Sequence, residues 1–249
     1  MISRMSTCLL VFMIMLSAYG QGFKEEQLQY GRVKKAYDEK SSMMQTLLRV
    51  NELDSASFHI FIRVFKQEHV FEIWATDSLR KDFVMLKEYH ICRVSGTDGP
   101  KRRQGDKQIP EGCYHIDRFN PWSSFHLSLG INYPNASDRV LSDRRHPGGE
   151  IFIHGSCVTI GCIPMTDERI KEIYVLAVEA RNNGQEKIPV HIFPCRMEGA
   201  QYAKLIDFHA KEEQLISFWS NLEEAYLFFE QNRYLPDFIV DEKGQYCFH

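Results

Sequence analysis

The tightest constraint on this chain is a pair of β-rich runs separated by only three polar residues. Residues 58–65 read FHIFIRVF, Lys66, Gln67 and Glu68 interrupt, and residues 69–75 resume as HVFEIWA. Aromatic and β-branched residues on both sides of so short a break predict an antiparallel hairpin. Residues 83–94 predict another strand, and Tyr114 to Ile116, Phe125 to Ile131, Glu150 to Ile153 and Ile188 to Pro194 predict further short ones. Residues 96–112 hold four Gly and two Pro among charges, the composition of a loop.

Helical patterning brackets this β-rich middle. Residues 24–50 carry Leu28, Val33, Tyr37, Met44, Leu47 and Leu48 on a loose apolar stripe, predicting one or two amphipathic helices. Thr166 is placed to N-cap a second helical stretch, with Asp167 and Glu168 at its positive end, Ile170, Ile173, Tyr174, Ala177 and Ala180 along one face, and Gly184 as its stop. Residues 200–232 predict a further helix, and residues 238–248 a terminal hairpin. The order predicts an α+β domain with a mostly antiparallel sheet. The 249 residues, 44% apolar and 25% charged, suit one compact domain with appendages. A formal charge of −3, with no dense Lys/Arg stripe, argues against a nucleic-acid partner.

Residues 1–20, MISRMSTCLLVFMIMLSAYG, have the form of a secretory signal peptide: Arg4, nine apolar residues from Cys8, then a small-x-small pattern at Ala18-Tyr19-Gly20. Nine residues fall short of the roughly 20 that span a bilayer, and no later run is long and apolar enough to do so. The expectation is an exported chain in an oxidising space. The six remaining cysteines (Cys92, Cys113, Cys157, Cys162, Cys195 and Cys247) match no small disulfide scaffold. Cys92, Cys113 and Cys195 stand among strand-like residues and read first as small buried hydrophobes. No CxxC occurs and the histidines are scattered, so no structural zinc site is expected.

The chemistry concentrates in residues 150–165, EIFIHGSCVTIGCIPM. An apolar strand delivers His154, and a tight polar loop returns Cys162 just before a helix. A thiol nucleophile needs a base, close backbone approach and donors aimed at an oxyanion. His154 is the candidate base, and Gly161 with the amides around Gly161 and Ile163 the candidate oxyanion site. The helix start near Thr166 is expected to lower the thiol pKa. Taken alone, the same residues also fit a buried strand histidine beside a packing cysteine.

HGSCVTIGCIPM resembles the signature of the L,D-transpeptidase catalytic domain (YkuD type), in its compact YafK-like form. Further blocks agree in the same order: Gly99-Pro-Lys101, Gly105-Asp106, Pro110-Glu-Gly-Cys-Tyr114, Asn120-Pro121, Ser128, Ile131, Asn132-Tyr-Pro-Asn135, Asp138, Pro164-Met-Thr-Asp167 and Phe193-Pro194. The resemblance covers residues 57–198 as the catalytic domain, which the patterning above flanks with a signal peptide (1–20), a helical lead-in (21–56) and a helical C-terminal extension (199–249). It implies Cys162 as the nucleophile toward a diaminopimelate carbonyl of a peptidoglycan stem peptide, and His154 as its base. The carbonyl of Gly155 would orient the imidazole, while Thr159, Gly161 and Ile163 shape the loop and oxyanion site. No metal or organic cofactor is implied, and the place of action would be the periplasm or cell-envelope space.

Two positions depart from the commoner family pattern. Ile160 stands where that pattern has His, and Pro164 where it has the Arg two residues after the Cys. A substrate carboxylate would then need another partner, for which Lys101, Arg102, Arg103 and Arg139 are candidates. His126 and Tyr133 are candidates to line the cleft, beside plainer roles as a structural histidine and a sheet tyrosine. Cys157 reads first as a packing residue, with a second thiol, or a redox partner that locks Cys162 as a disulfide, as the alternatives. In the YafK-like subgroup the resemblance also admits hydrolysis of a diaminopimelate amide linking peptidoglycan to a lipoprotein. A non-catalytic wall-binding module stays open, whereas a papain-like protease finds no support in the flanking sequence.

Overall fold

The computed structural model describes residues 22–249; the signal-peptide expectation lies outside the described residues. Two helices, α1 (Phe23–Gln27) and α2 (Gly31–Val50), lead into β1 (His59–Phe65), β2 (Val70–Thr76) and β3 (Val84–His90). After the Gly/Pro-rich loop come β4 (Gly112–Asn120), β5 (Ser128–Ile131), the short α3 (Ala136–Leu141), β6 (Phe152–His154), β7 (Ile163–Pro164), α4 (Asp167–Asn182) and β8 (Ile188–Phe193). The chain closes with α5 (Gly199–Phe208), α6 (Glu213–Asn232) and a separate hairpin of β9 (Phe238–Val240) and β10 (Tyr246–Phe248).

Eight strands form one sheet in the order β3-β2-β1-β8-β4-β5-β6-β7. Only β1 with β8 and β6 with β7 run parallel; the α+β, mostly antiparallel expectation holds. Alternation along β1 shows how the sheet is covered on both faces. Ile60, Ile62 and Val64 join the core made with Val33, Met44 and Leu48 of α2 and Ile170, Ile173 and Ala177 of α4. Phe61 packs instead with Trp74 and Phe229, and Phe65 with Trp219 and Tyr226. A strand buried on both sides has no polar positions to spare, yet Arg63 is 1% exposed. Its guanidinium is held by Glu72 at 2.8–2.9 Å and Glu230 at 2.6 Å, which supplies the compensation a buried charge requires.

Several boundaries differ from the sequence reading. The strand expected from Phe125 begins only at Ser128, leaving His126 in the preceding turn with a φ of +71°. The single helix expected over 200–232 is two. No Gly or Pro marks the break, which follows His209, whose ring bonds Glu212 at 2.6 Å and Asp98 at 3.2 Å. Cys92 is not a simple buried hydrophobe: it forms a disulfide with Cys157, which corrects the packing role read for both. Cys113, Cys162, Cys195 and Cys247 are free thiols. No helix among the described residues is long and apolar enough to cross a membrane.

Candidate active site

His154 ends β6 and Cys162 immediately precedes β7. The ladder pairs Ile153 with Ile163 and His154 with Pro164. Ile153 and Ile163 are fully buried in the core beneath the sheet, so alternation sends His154 and Cys162 to the opposite side, together. Two residue steps along the strands and one step across place their Cα atoms roughly 8 Å apart. β7 is the edge strand, two residues long, where a proline without an N–H does no harm.

His154 is 2% exposed. Its Nδ1 lies 2.5 Å from the Gly155 carbonyl. A carbonyl oxygen can only accept, so Nδ1 carries the proton and Nε2 presents a lone pair. The ring of Phe125 covers the imidazole at 4.7 Å between centroids. Burial pushes the His154 pKa below the ordinary imidazole value, with the Gly155 hydrogen bond opposing. The glycine is required by contact: a Cβ at position 155 would lie 2.6 Å from Asp167 Oδ1 and 2.8 Å from the Phe125 carbonyl. Asp167 Oδ1 accepts instead from the Ser156 amide at 2.9 Å.

The Cys162 thiol contacts the Glu150 carbonyl at 3.6 Å. Burial raises its pKa, while a hydrogen bond to the Phe152 backbone and the charge of Lys101 pull the other way. The direction runs against the lowered thiol pKa expected from the helix start near Thr166. Thr159 shapes the turn between them, its hydroxyl accepting from the Gly161 amide at 3.1 Å and donating to the Cys162 carbonyl at 2.7 Å. Gly161 has φ +138° and runs so close to the Gln108 carbonyl that a Cβ would sit 3.0 Å from it. The Gly161 amide is thus committed, and Ile163 is ladder-paired core. The Cys162 amide has no partner among the described residues.

Cys162 opens onto a cavity of about 570 Å³ lined also by Lys101, Lys107, Arg145, His146, Glu150 and Ile160. Of the candidate substrate-binding residues, the structure brings only Lys101 here. Its Nζ is spent on Asp106 at 2.7 Å and the Arg103 carbonyl at 2.8 Å. Tyr133 is buried, its hydroxyl donating to the Pro147 carbonyl at 3.0 Å behind the cavity wall. Arg139 lines a different depression with Asp117 and Asn132. His126 is absent from the cavity wall; its Nε2 is buried without a partner among the described residues.

Sequence reasoning missed Lys107, Arg145 and His146. Neither Lys107 nor Arg145 has a carboxylate within ion-pair distance among the described residues, whereas Glu150 is paired with Arg118 at 2.8 Å. The free charge at the mouth is therefore positive. No motif links these residues to Cys162; only the fold does. Ile160, at the position where the commoner pattern has His, is 78% exposed on the same wall.

Residues 59–192 match the family model of the L,D-transpeptidase catalytic domain, YkuD. Among curated proteins, "Putative L,D-transpeptidase YafK" of Escherichia coli K12 is 35% identical over 183 residues, which is 73% of this chain and 70% of that protein. The protein of the same name from Escherichia coli O157:H7 matches equally. Two solved structures align more distantly. The helical cell shape determining protein Pgp2 of Campylobacter jejuni gives a TM-score of 0.45 at 18% identity, covering 75% of this chain and 74% of that one. Bd1075 of Bdellovibrio bacteriovorus gives 0.41 at 18%, covering 71% and 64%. With over half its length under the family model and this degree of identity to YafK, the chain belongs to the L,D-transpeptidase catalytic-domain family.

Proposed function

We propose that this protein is an exported peptidoglycan L,D-transpeptidase in which Cys162 is the nucleophile and His154 its base. The observation that carries the reading is the juxtaposition at β6 and β7: an imidazole with a free Nε2 lone pair and a thiol on one face, the thiol opening into a cationic cavity. Nε2 takes the thiol proton as sulfur attacks the carbonyl of a diaminopimelate residue in a stem peptide. The C–S bond forms and the carbonyl π electrons move to oxygen, toward which the uncommitted Cys162 amide donates. Collapse expels the leaving amine, which receives its proton from the His154 imidazolium, and a thioester remains. An acceptor amine then displaces the sulfur to form the new amide.

Stem peptides carry free carboxylates, and Lys107 and Arg145 are the unpaired cations that can receive one, in place of the arginine that Pro164 replaces. No step calls on a metal or organic cofactor. Incubation with purified muropeptides and mass analysis of the products tests the reading. Cross-linked or amino-acid-exchanged species are expected. Products gained only by addition of water, including release of a lipoprotein remnant from its diaminopimelate amide, would replace the transferase with an amidase using the same first half-reaction. No product at all, with Cys162 inert, would leave a wall-binding module.

A further inference from the structure

Cys92 holds the loop of Cys162 at two points. Its sulfur is bonded to Cys157, five residues before Cys162, and its amide donates to the carbonyl of Pro164, two residues after it, at 3.0 Å. The holding residue is itself fixed, because the neighbouring Ile91 amide donates to the His69 carbonyl in the β1–β2 turn at 2.7 Å. Between the two holds lie the exposed Val158 and Ile160 and the nucleophile, with only the two residues of β7 in the sheet. Neither Cys92 nor Cys157 belongs to any of the three buried apolar clusters. The cores therefore close without the bond, which ties only the loop.

We propose that the Cys92–Cys157 disulfide is a positioning element for Cys162, and that its reduction stops acylation without unfolding the domain. The inference rests on the role assigned to Cys162 above. Cys157 is exposed and Cys92 half-buried, so a small dithiol can reach the bond. One dithiothreitol thiolate attacks a protein sulfur and its second thiol displaces the mixed disulfide. The reagent is oxidised to its cyclic disulfide, and Cys92 and Cys157 are left as two thiols. Cys162, already a thiol, takes no part. Once released on one side, the loop holds the sulfur less closely at its place beside the Glu150 carbonyl, and small misplacements of reacting groups are costly.

The test compares three forms: the oxidised protein, the protein reduced and desalted without oxygen, and the double variant Cys92→Ser/Cys157→Ser, which leaves no unpaired thiol five residues from Cys162. Expected for the last two is a fall in kcat of roughly tenfold or more with KM changed by less than about twofold and far-UV circular dichroism unchanged. Iodoacetamide labelling of Cys162, followed by peptide mass analysis against pH, should shift its midpoint downward toward the ordinary thiol value of about 8.5 as the sulfur leaves its buried place. Reoxidation should restore the reduced protein and not the double variant. Equal kcat and labelling profiles in all three forms would overturn the positioning role while leaving the proposed function intact. Loss of activity only in step with loss of circular dichroism would make the bond merely structural. An oxidised protein inactive on muropeptides would overturn both.

Discussion

Gly161→Ala is the most informative single change, because two separate features demand glycine there. The backbone sits at φ +138°, and a Cβ would approach the Gln108 carbonyl to 3.0 Å. Holding an L-residue in so sparsely populated a region costs about 1–3 kcal/mol. At about 2–4 °C per kcal/mol for a domain of this size, Tm should fall by roughly 2–12 °C. The backbone neighbour cannot rotate away as a side chain would, so the turn must shift by a few tenths of an ångström. That movement strains the bonds of the Thr159 hydroxyl to the Gly161 amide and the Cys162 carbonyl, which tie the backbone on either side of the sulfur. A displacement near 1 Å in a reacting group is worth on the order of a hundredfold in rate. Calorimetry and kcat on muropeptides, both measured below the variant's transition, read the two effects separately. A variant with unchanged Tm would refute the strain argument. One with lowered Tm but unchanged kcat would refute the claim that this turn positions Cys162.

Further expectations concern recognition, protonation and the core. Lys107→Ala and Arg145→Ala should each raise KM by about three- to tenfold at moderate salt with kcat little changed, an effect that shrinks as salt screens these exposed charges; a salt-independent loss of kcat would contradict the role. Burial holds His154 below the ordinary imidazole value near 6.5, so its base form persists through neutrality and is lost only in more acidic solution. The acid limb of kcat/KM should therefore lie below about 6.5, and a pH–rate profile with half-activity at or above that value would contradict the assignment. Glu111→Ala leaves Lys66, 4% exposed and 2.7 Å from that carboxylate, as an unpaired buried charge. It should lose about 3–5 kcal/mol in denaturant unfolding, and a loss under about 1 kcal/mol would show that Lys66 reaches water.

The sequence made some of this legible and hid the rest for physical reasons. Local signals carried the β1–β2 hairpin, with its seven-residue antiparallel register, and the Thr166 cap, whose hydroxyl accepts from the Arg169 amide at 3.2 Å. Where pairing is non-local, they did not. β7 is two residues including a proline, too short to show any period. Lys107 and Arg145 sit 55 and 17 residues before Cys162 in the chain and meet it only across the cavity. The Cys92–Cys157 bond joins positions 65 residues apart, and spacing alone cannot choose among the pairings of six cysteines. The residue types of the site were visible because His154 and Cys162 lie on one continuous segment. Their burial, which raises the thiol pKa where the helix start argued for lowering it, was set by elements distant in sequence.

A covalent bond to one sulfur is the central step, and intact-protein mass spectrometry after rapid mixing with a disaccharide tetrapeptide tests it most directly. A species heavier by the donor less its leaving amino acid should form, map to Cys162 by peptide analysis, and vanish with hydroxylamine, as a thioester does. It should be absent in Cys162→Ala and form far more slowly in His154→Ala. Undiminished turnover by Cys162→Ala, or an adduct on any other residue, would contradict the mechanism.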